Sequence, residues 1–380
     1  MRAGPAHGFA RAEIDGMRAA TKGVESWPRA GQRILEPPRA GEVELFSKTQ
    51  GEADDGFDIA VPVIMDPKAA ALGRVLAHEI KARKALGIGF FEAAQKGAEE
   101  AAAELGGIEI IYTGPTDTTA EGQIEVINSL IAQGVDAIAV SSNDTDALVP
   151  TLKKAMQRGI TVVSWDSGVA EEGRQVHLNP SSNPLIGNMI IKLAADHLPD
   201  GGQVALLSAT TTSTNQNIWI EEMTKVMGEY PGIEVVSTVY GDDLADKSYR
   251  EAQGLMQSYP DLDAIIAPTS VGIVAAAQAV EDAGKIGEVN VTGLGLPSEM
   301  AGAIESGASK SFAIWNPIDL GYSAAMIAHA LASGEVVAEP GAEIAIGRMG
   351  TITLDDTNAA AMADPFVYDS SNIDEFKSIF

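Results

Sequence analysis

The stretch Ile160-Thr-Val-Val-Ser-Trp-Asp-Ser-Gly168 decides the fold. Its β-branched run from Ile160 to Val163 reads as a short buried strand, and Trp165, Asp166 and Gly168 follow directly. In an open α/β sheet the crevice beyond the carboxyl ends of the strands is where ligands bind. A ring and a carboxylate at one such end are therefore candidate binding groups. A solvated loop Asp after an ordinary strand would look the same, so the flanking chain has to decide.

Upstream, residues 90–105 carry Phe90, Ala94, Ala98, Ala101 and Leu105 at helical spacing and stop at Gly106-Gly107. A strand over 108–112, a helix over 119–133, a strand over 135–140 and a helix over 144–158 lead up to the opening stretch. Downstream, helices over 185–197, 217–229, 248–259 and 271–283 alternate with strands over 203–208, 234–240, 264–267 and 290–294. A helix over 297–306, a strand over 311–315 and a helix over 319–331 follow; short strands come after 335, and 372–380 could pack as a final helical turn. Such alternation predicts parallel βαβ units in two doubly wound α/β lobes. Residues 1–66 show no sustained period and are expected to form an irregular extension, apart from 57–65, which could make one strand. Residues 67–85 fit either a helix or a strand.

Composition narrows the function. The chain has 380 residues and a formal charge of -27, which disfavours unaided binding to nucleic acid phosphates or anionic membranes. Without cysteine there are no disulfides, thiolate metal sites or cysteine nucleophiles. The five histidines lack the paired spacing of a zinc site, so no metal is expected. No apolar run is long enough to span a membrane, and residues 1–68 lack the apolar core of a secretory signal.

Polar groups collect where the strands end: Ser141, Ser142, Asn143 and Asp144; Trp165 and Asp166; Asn215, Gln216 and Asn217; Pro268, Thr269 and Ser270; Trp315 and Asn316. Hydroxyls, amides, one well-placed carboxylate and aromatic rings suit a neutral polyol, which needs bidentate polar partners and a flat apolar wall. Each residue alone is equally readable as a helix cap or turn, Asp144 and Ser270 especially. Enzymatic signatures are absent: no Gly-x-Ser-x-Gly, no phosphate-cradling loop, and Gly293-Leu-Gly295 lacks the rest of a dinucleotide fingerprint. No cofactor is expected.

Lys84-Ala-Leu-Gly-Ile-Gly-Phe-Phe91, Tyr112-Thr-Gly-Pro-Thr116, Ala155-Met-Gln-Arg-Gly159, Trp165-Asp166, Asn215-Gln-Asn217 and Asp263-Ala-Ile-Ile-Ala-Pro268 together resemble the periplasmic sugar-binding proteins of ABC importers. The likeness is greatest to the branch holding rhamnose-binding and autoinducer-2-binding receptors. It implies a type I periplasmic binding protein fold, with two Rossmann-like lobes joined by a three-strand hinge. The chain would cross near Ser167, Pro297 and Gly334, giving an N-terminal lobe of 67–166 plus 298–333 and a C-terminal lobe of 167–297 plus 334–380. By resemblance, Lys84 donates to ligand oxygens, Phe90 or Phe91 stacks on the ring, and Asp166 accepts two hydroxyl hydrogens. Asn215, Gln216, Pro268 and Ser270 meet the ligand from the second lobe, with Trp315 as a wall and Asn316 as a donor.

Autoinducer-2 receptors of this branch carry a carboxylate where Asn215 stands and Ala where Ser270 stands. Both departures, with the Asn316-Pro-Ile-Asp-Leu-Gly-Tyr322 segment, favour a deoxyhexose such as rhamnose. The resemblance thus implies a non-enzymatic, monomeric, periplasmic receptor that delivers a monosaccharide to a membrane permease. An autoinducer-2 receptor, or the effector-sensing domain of a sugar-responsive repressor, is the alternative. One feature breaks the pattern: the family's apolar strand before the lysine is here Ala77-His-Glu-Ile-Lys-Ala-Arg83, too polar for a central parallel strand. A disrupted first strand is the expectation. Residues 58–65 are the competing candidate for that place, against which the long connection to Lys84 counts.

Overall fold

The computed structural model of the chain describes residues 57–62, 88–115 and 118–379. The first run of elements is β1 (Phe57–Pro62), α1 (Gly89–Leu105), β2 (Ile108–Thr113), α2 (Ala120–Gln133), β3 (Ala137–Val140), α3 (Val149–Gln157), β4 (Thr161–Trp165) and β5 (Val176–Asn179). The second is α4 (Asn183–Ala195), β6 (Gly202–Ser208), α5 (Thr214–Val226), β7 (Ile233–Tyr240), α6 (Ala245–Ser258), β8 (Leu262–Ala267), α7 (Ser270–Asp282), β9 (Asn290–Gly293), α8 (Pro297–Ser306) and β10 (Ser311–Ile314). The chain finishes with α9 (Pro317–Ala332), β11 (Glu343–Ala345), β12 (Thr351–Thr353), β13 (Ala359–Ala361), β14 (Phe366–Asp369) and α10 (Ile373–Phe376).

Two parallel sheets result. The first has the order β13-β5-β4-β3-β1-β2 and the second β7-β6-β8-β9. The second sheet is continued by β10 through a parallel bridge from Leu294 to Ala313, and β14 closes that edge antiparallel to β10. In each sheet the first strand of its lobe has neighbours on both sides, so the order reverses there and a crevice opens beyond the carboxyl ends. β3 and β4 are buried along their whole length, which is why β3 reads as an apolar run and β4 as a largely β-branched one. Local signals delimit the helices: Thr119 caps α2 by accepting from the Gly122 amide at 3.1 Å, and Gly134 ends it at φ 74°.

The strand and helix pairings fill the place of the first strand and move the three expected crossings. Within the extension expected over 1–66, the one stretch read as a possible strand supplies β1 (Phe57–Pro62), paired in parallel with β2 and with β3, so the competing candidate takes the place of the strand expected before Lys84. It occupies the central place that the polar segment before Lys84 could not fill; residues 63–87, including Lys84, lie outside the described residues. The crossings also move. The chain leaves the first sheet after β5 rather than near Ser167, because Val176-His-Leu-Asn179 adds one more strand beside β4. It returns between β10 and α9 rather than near Pro297, since α8 packs on α7 and α10 while α9 packs on α1, β3 and β4. The last crossing falls between β13, paired with β5, and β14, paired with β10, rather than near Gly334.

Helices α1 and α9 meet at unusually close range. A Cβ on Gly97 would come within 1.7 Å of the Ile318 carbonyl oxygen, and one on Gly321 within 1.9 Å of the Ala94 oxygen. Ala94, Ala98, Ala101, Ala324, Ala325 and Ala328, all nearly inaccessible, complete the contact. Arg348 ties the same pair from outside, reaching Glu100 at 2.8 Å and Asp319 at 2.9 Å. Its guanidinium lies 4.0 Å from the centre of the Tyr322 ring. Any side chain at the two glycines must push backbone aside, so Gly97→Ala and Gly321→Ala should each lower the stability read from denaturant midpoints by about 1–3 kcal/mol. Gly302→Ala, where a Cβ meets nothing within 4 Å, should be neutral or stabilising by up to about 1 kcal/mol. Equal effects at all three positions would contradict the close contact.

Candidate functional site

The carboxyl ends of both sheets face one cleft, with about 590 Å³ of empty space. From the first lobe it is lined by Ile88, Phe90 and Phe91 at the start of α1, by Ser141 to Asn143 after β3, and by Asp166 and Ser167 after β4. The second lobe contributes Ser213, Asn215, Gln216 and Trp219 from the start of α5, Asp243 after β7, Pro268 to Val271 after β8, and Leu294. Ile314 and Trp315 come from the end of β10, at the second crossing.

Asp166 sits at the centre of the polar contacts. Its backbone has φ 57°, in the left-handed region that is unfavourable for a residue with a Cβ, and the residue is 7% exposed. The Ser141 hydroxyl donates to its Oδ2 at 3.0 Å and the Asn215 amide to its Oδ1 at 3.3 Å. Gln123, fully buried in α2, holds the loop behind it, donating to the Ser141 carbonyl at 2.7 Å and accepting from the Asn143 amide at 2.8 Å. Burial pushes the Asp166 carboxyl up to about 7, opposed by the Ser141 and Asn215 hydrogen bonds and reinforced by Asp243.

The lobes touch directly across this seam. Besides Asn215 to Asp166, the Asn215 amide nitrogen donates to the Ser167 hydroxyl at 3.4 Å. Thr212 donates to the Asn143 carbonyl at 2.8 Å, and the Thr145 and Thr214 hydroxyls are 3.0 Å apart. Gln216 is oriented unambiguously: its Oε1 accepts from the Ser208 hydroxyl at 2.7 Å and the Ala209 amide at 2.8 Å, leaving its Nε2 without a protein partner among the described residues.

An aromatic chain forms the apolar wall. Phe90 meets Phe91 edge-on at 5.2 Å and Trp315 at 6.2 Å, Phe91 meets Trp165 at 5.9 Å, and Trp219 meets Trp315 at 5.5 Å. The Trp315 indole N–H and the Asn143 Nδ2 are buried donors without a hydrogen-bond partner among the described residues, an expensive condition unless something else occupies the cleft.

Of the residues expected in the site, the structure brings together Phe90, Phe91, Asp166, Asn215, Gln216, Pro268, Ser270 and Trp315. Lys84 lies outside the described residues. Asn316 does not line the cleft. It caps α9 instead, accepting from the Ile318 amide at 2.9 Å and donating to Asp319 at 2.6 Å. Asp144 likewise serves its own turn, accepting from the Asp146 and Ala147 amides at 2.9 Å each. Thr269, not Ser270, caps α7, which leaves Ser270 to the cleft. The site list drawn from sequence omitted Gln123, Trp219 and Asp243; only the position of Asp243 just past a strand end could have marked it.

A cleft between two doubly wound lobes, joined by three crossings and lined by hydroxyls, amides, carboxylates and rings, is the architecture of a two-lobed binding protein. The chain belongs to the periplasmic binding protein domain family, whose model matches residues 82–335. A solute-binding protein of an ABC transporter from Clostridium phytofermentas, solved with bound L-rhamnose, is 31% identical, with TM-score 0.77 over 86% of this chain and 99% of that one. A sugar ABC transporter protein from Actinomyces odontolyticus is 34% identical, with TM-score 0.64 over 85% of this chain and 98% of that one. LsrB from Clostridium saccharobutylicum, in complex with AI-2, shares the fold at 23% identity and TM-score 0.73, over 84% of this chain and 99% of that one. Among curated relatives, the D-ribose/D-allose-binding protein of Pseudomonas aeruginosa is 28% identical over 193 residues, 49% of this chain and 60% of that protein. The matched segments of it and of the Bacillus subtilis ribose import binding protein span 60% and 63% of their lengths.

Buried Asp166 and half-buried Glu299 and Asp243 set the pH response. Burial raises Asp166 and Glu299 to about 7 and Asp243 to about 6. In the unfolded chain these groups release protons at ordinary carboxylate values, so over the intervening range the folded state binds more protons. Their stabilising contribution is present below the ordinary values and is lost as pH rises through 6 to 7. His177, lowered to about 4 by burial and by Arg174, acts oppositely but only below its ordinary value of 6.5. The melting temperature of the ligand-free protein should therefore rise between about pH 8 and about pH 6.5. The rise should be smaller in Asp166→Asn; an identical rise in that variant would remove Asp166 from the account.

Proposed function

We propose that this chain is the substrate-binding protein of an ABC sugar importer. It takes a monosaccharide into the cleft, the lobes close on it about the three crossings, and a membrane permease recognises the closed form from the periplasmic side. It performs no chemistry on the sugar. The observation that carries this reading is the constellation around Asp166: a buried carboxylate with donors from both lobes, beside two buried donors lacking protein acceptors and a wall of rings. Sugar hydroxyls both donate and accept, so a monosaccharide can satisfy Asp166, Gln216 Nε2, Asn143 Nδ2 and the Trp315 indole through several of them, while its C–H face packs on the aromatic wall.

The finer proposal is a deoxyhexose, L-rhamnose. Ile88, Phe90, Phe91, Leu294 and Ile314 give the cleft an apolar side where a methyl carbon is preferred to a hydroxymethyl group, whose oxygen would need a partner. The relative solved with L-rhamnose supports the same choice. Asn215, already donating to Asp166, presents no carboxylate to the ligand.

Thermal shift across deoxyhexoses, pentoses and autoinducer-2 tests both levels. A bound sugar at 100 times its dissociation constant adds about 2.7 kcal/mol to native stability, a clear upward shift. The largest shift should come from L-rhamnose; a larger one from a pentose would overturn the deoxyhexose choice, and none at all the sugar reading. In calorimetric titration, Asp166→Ala should weaken sugar binding by about 2–5 kcal/mol, because it truncates a desolvated charged partner. Unchanged affinity would take Asp166 out of the ligand's contacts.

A further inference from the structure

The second lobe brings its own carboxylate to the cleft. Asp242 and Asp243 follow β7, both with left-handed backbone, φ 55° and φ 51°. Asp242 is engaged by Lys247 at 2.6 Å. Asp243 instead lines the cleft, where its Oδ1 accepts from the Thr269 hydroxyl and its Oδ2 has no partner among the described residues. Thr269 is itself fixed, since its Oγ1 also accepts from the Gly272 amide at 3.2 Å, so the carboxylate is anchored from behind.

Asp166 and Asp243 line one cleft from opposite lobes, the charge of Asp243 bears on Asp166, and no Lys, Arg or His among the described residues lines that cleft. Two carboxylates, Asp166 buried and Asp243 half-buried, that face one space from opposite lobes disfavour closure unless donors from a third party reach both. An anion would add to the repulsion. Independently, the 6% exposed Asn143 and the 3% exposed Trp315 line the same space with donors that no protein acceptor satisfies. The cleft thus asks its occupant for donors at two separated places and acceptors elsewhere.

We infer that Asp243 is the second lobe's hydroxyl acceptor, so that the ligand is held between one carboxylate from each lobe and is a neutral polyol with hydroxyls at both contact points. This rests on the sugar-binding reading and sharpens it. Asp166 alone would select for one edge of a ring; the pair selects for the disposition of hydroxyls across it, and excludes sugar acids and sugar phosphates. The ligand also removes the main electrostatic obstacle to closure, coupling recognition of the second hydroxyl to hinge motion.

Calorimetric titration of the full chain with L-rhamnose and its monodeoxy analogues provides the test; if the panel selects another sugar, that sugar and its analogues replace them. For the unaltered chain, deleting a hydroxyl at either of two positions should weaken binding about tenfold or more, as expected when a charged acceptor is left unpaired. Asp243→Asn, which tolerates the left-handed backbone, should weaken the parent sugar by a similar factor without lowering the ligand-free melting temperature. It should cause no further loss for the one analogue that already lacks the hydroxyl meeting Asp243. Wild-type affinity in Asp243→Asn, or equal losses for every analogue, would overturn the role of Asp243 while leaving the sugar-binding reading intact. Failure of the unaltered chain to bind any sugar would overturn that reading, and this inference with it.

Discussion

A carboxylate kept out of water at the seam of two lobes is the constraint on which the rest of this structure depends. Asp166 ends a fully buried strand in a backbone conformation that a side chain disfavours, and it is met by one donor from its own lobe and one from the other. Burying such a charge costs several kcal/mol unless its lone pairs are filled. Asn215 reaches it from the other lobe, and in the proposed function a polyol completes the set. The same group therefore links the chemistry of recognition to the geometry of the hinge.

What surrounds Asp166 serves to hold its partners in place. Gln123 is a buried amide that makes two bonds to the loop carrying Ser141, though it is not among the residues lining the cleft. The glycine contact between α1 and α9 works at longer range: α1 begins with Phe90 and Phe91, α9 begins just after Trp315, and pressing the two helices together delivers the rings to one wall. Trp219 closes that wall from the second lobe and is itself pinned by a 3.0 Å bond from its indole to Asn183, next to the first crossing. Rigid elements thus carry the binding groups, while the crossings between them are short.

The alternation of strands and helices was legible because β3 is apolar throughout, β4 and β8 are mostly so, and glycines follow the helices on either side of β3. Much of the cleft lining was legible too, since residues just past such strands lie where the crevice opens, although Asp144 and Asn316 there serve their own turn and helix. The lobe boundaries were not. β5 is four residues long and contains His177, held by Ser164 at 2.9 Å and Asn179 at 3.1 Å, so nothing local marks it as a strand. β13 is three alanines, whose strand character comes only from pairing with β5 across almost two hundred residues of chain. Residues 57–62 take the central place beside β2 and β3, because pairing in the first sheet rewards an apolar segment however far it lies from α1. Asp243 was missed because Gly-Asp-Asp after a strand reads as a solvated turn, and only the Thr269 bond distinguishes it. Asn316 was over-read for the opposite reason: a residue that serves as a cap has the same composition signal as one that serves a ligand.

In the proposed function the cleft's polar contacts are complete only when a sugar fills it. A crystal structure of the chain grown with L-rhamnose tests this most directly. It should show the ring between the Phe90–Trp315 wall and the polar face, with hydroxyls within hydrogen-bond distance of Asp166 and the Trp315 indole and Asn143 amide newly satisfied. A closed cleft holding only water, or a sugar bound elsewhere with Asp166 untouched, would contradict it.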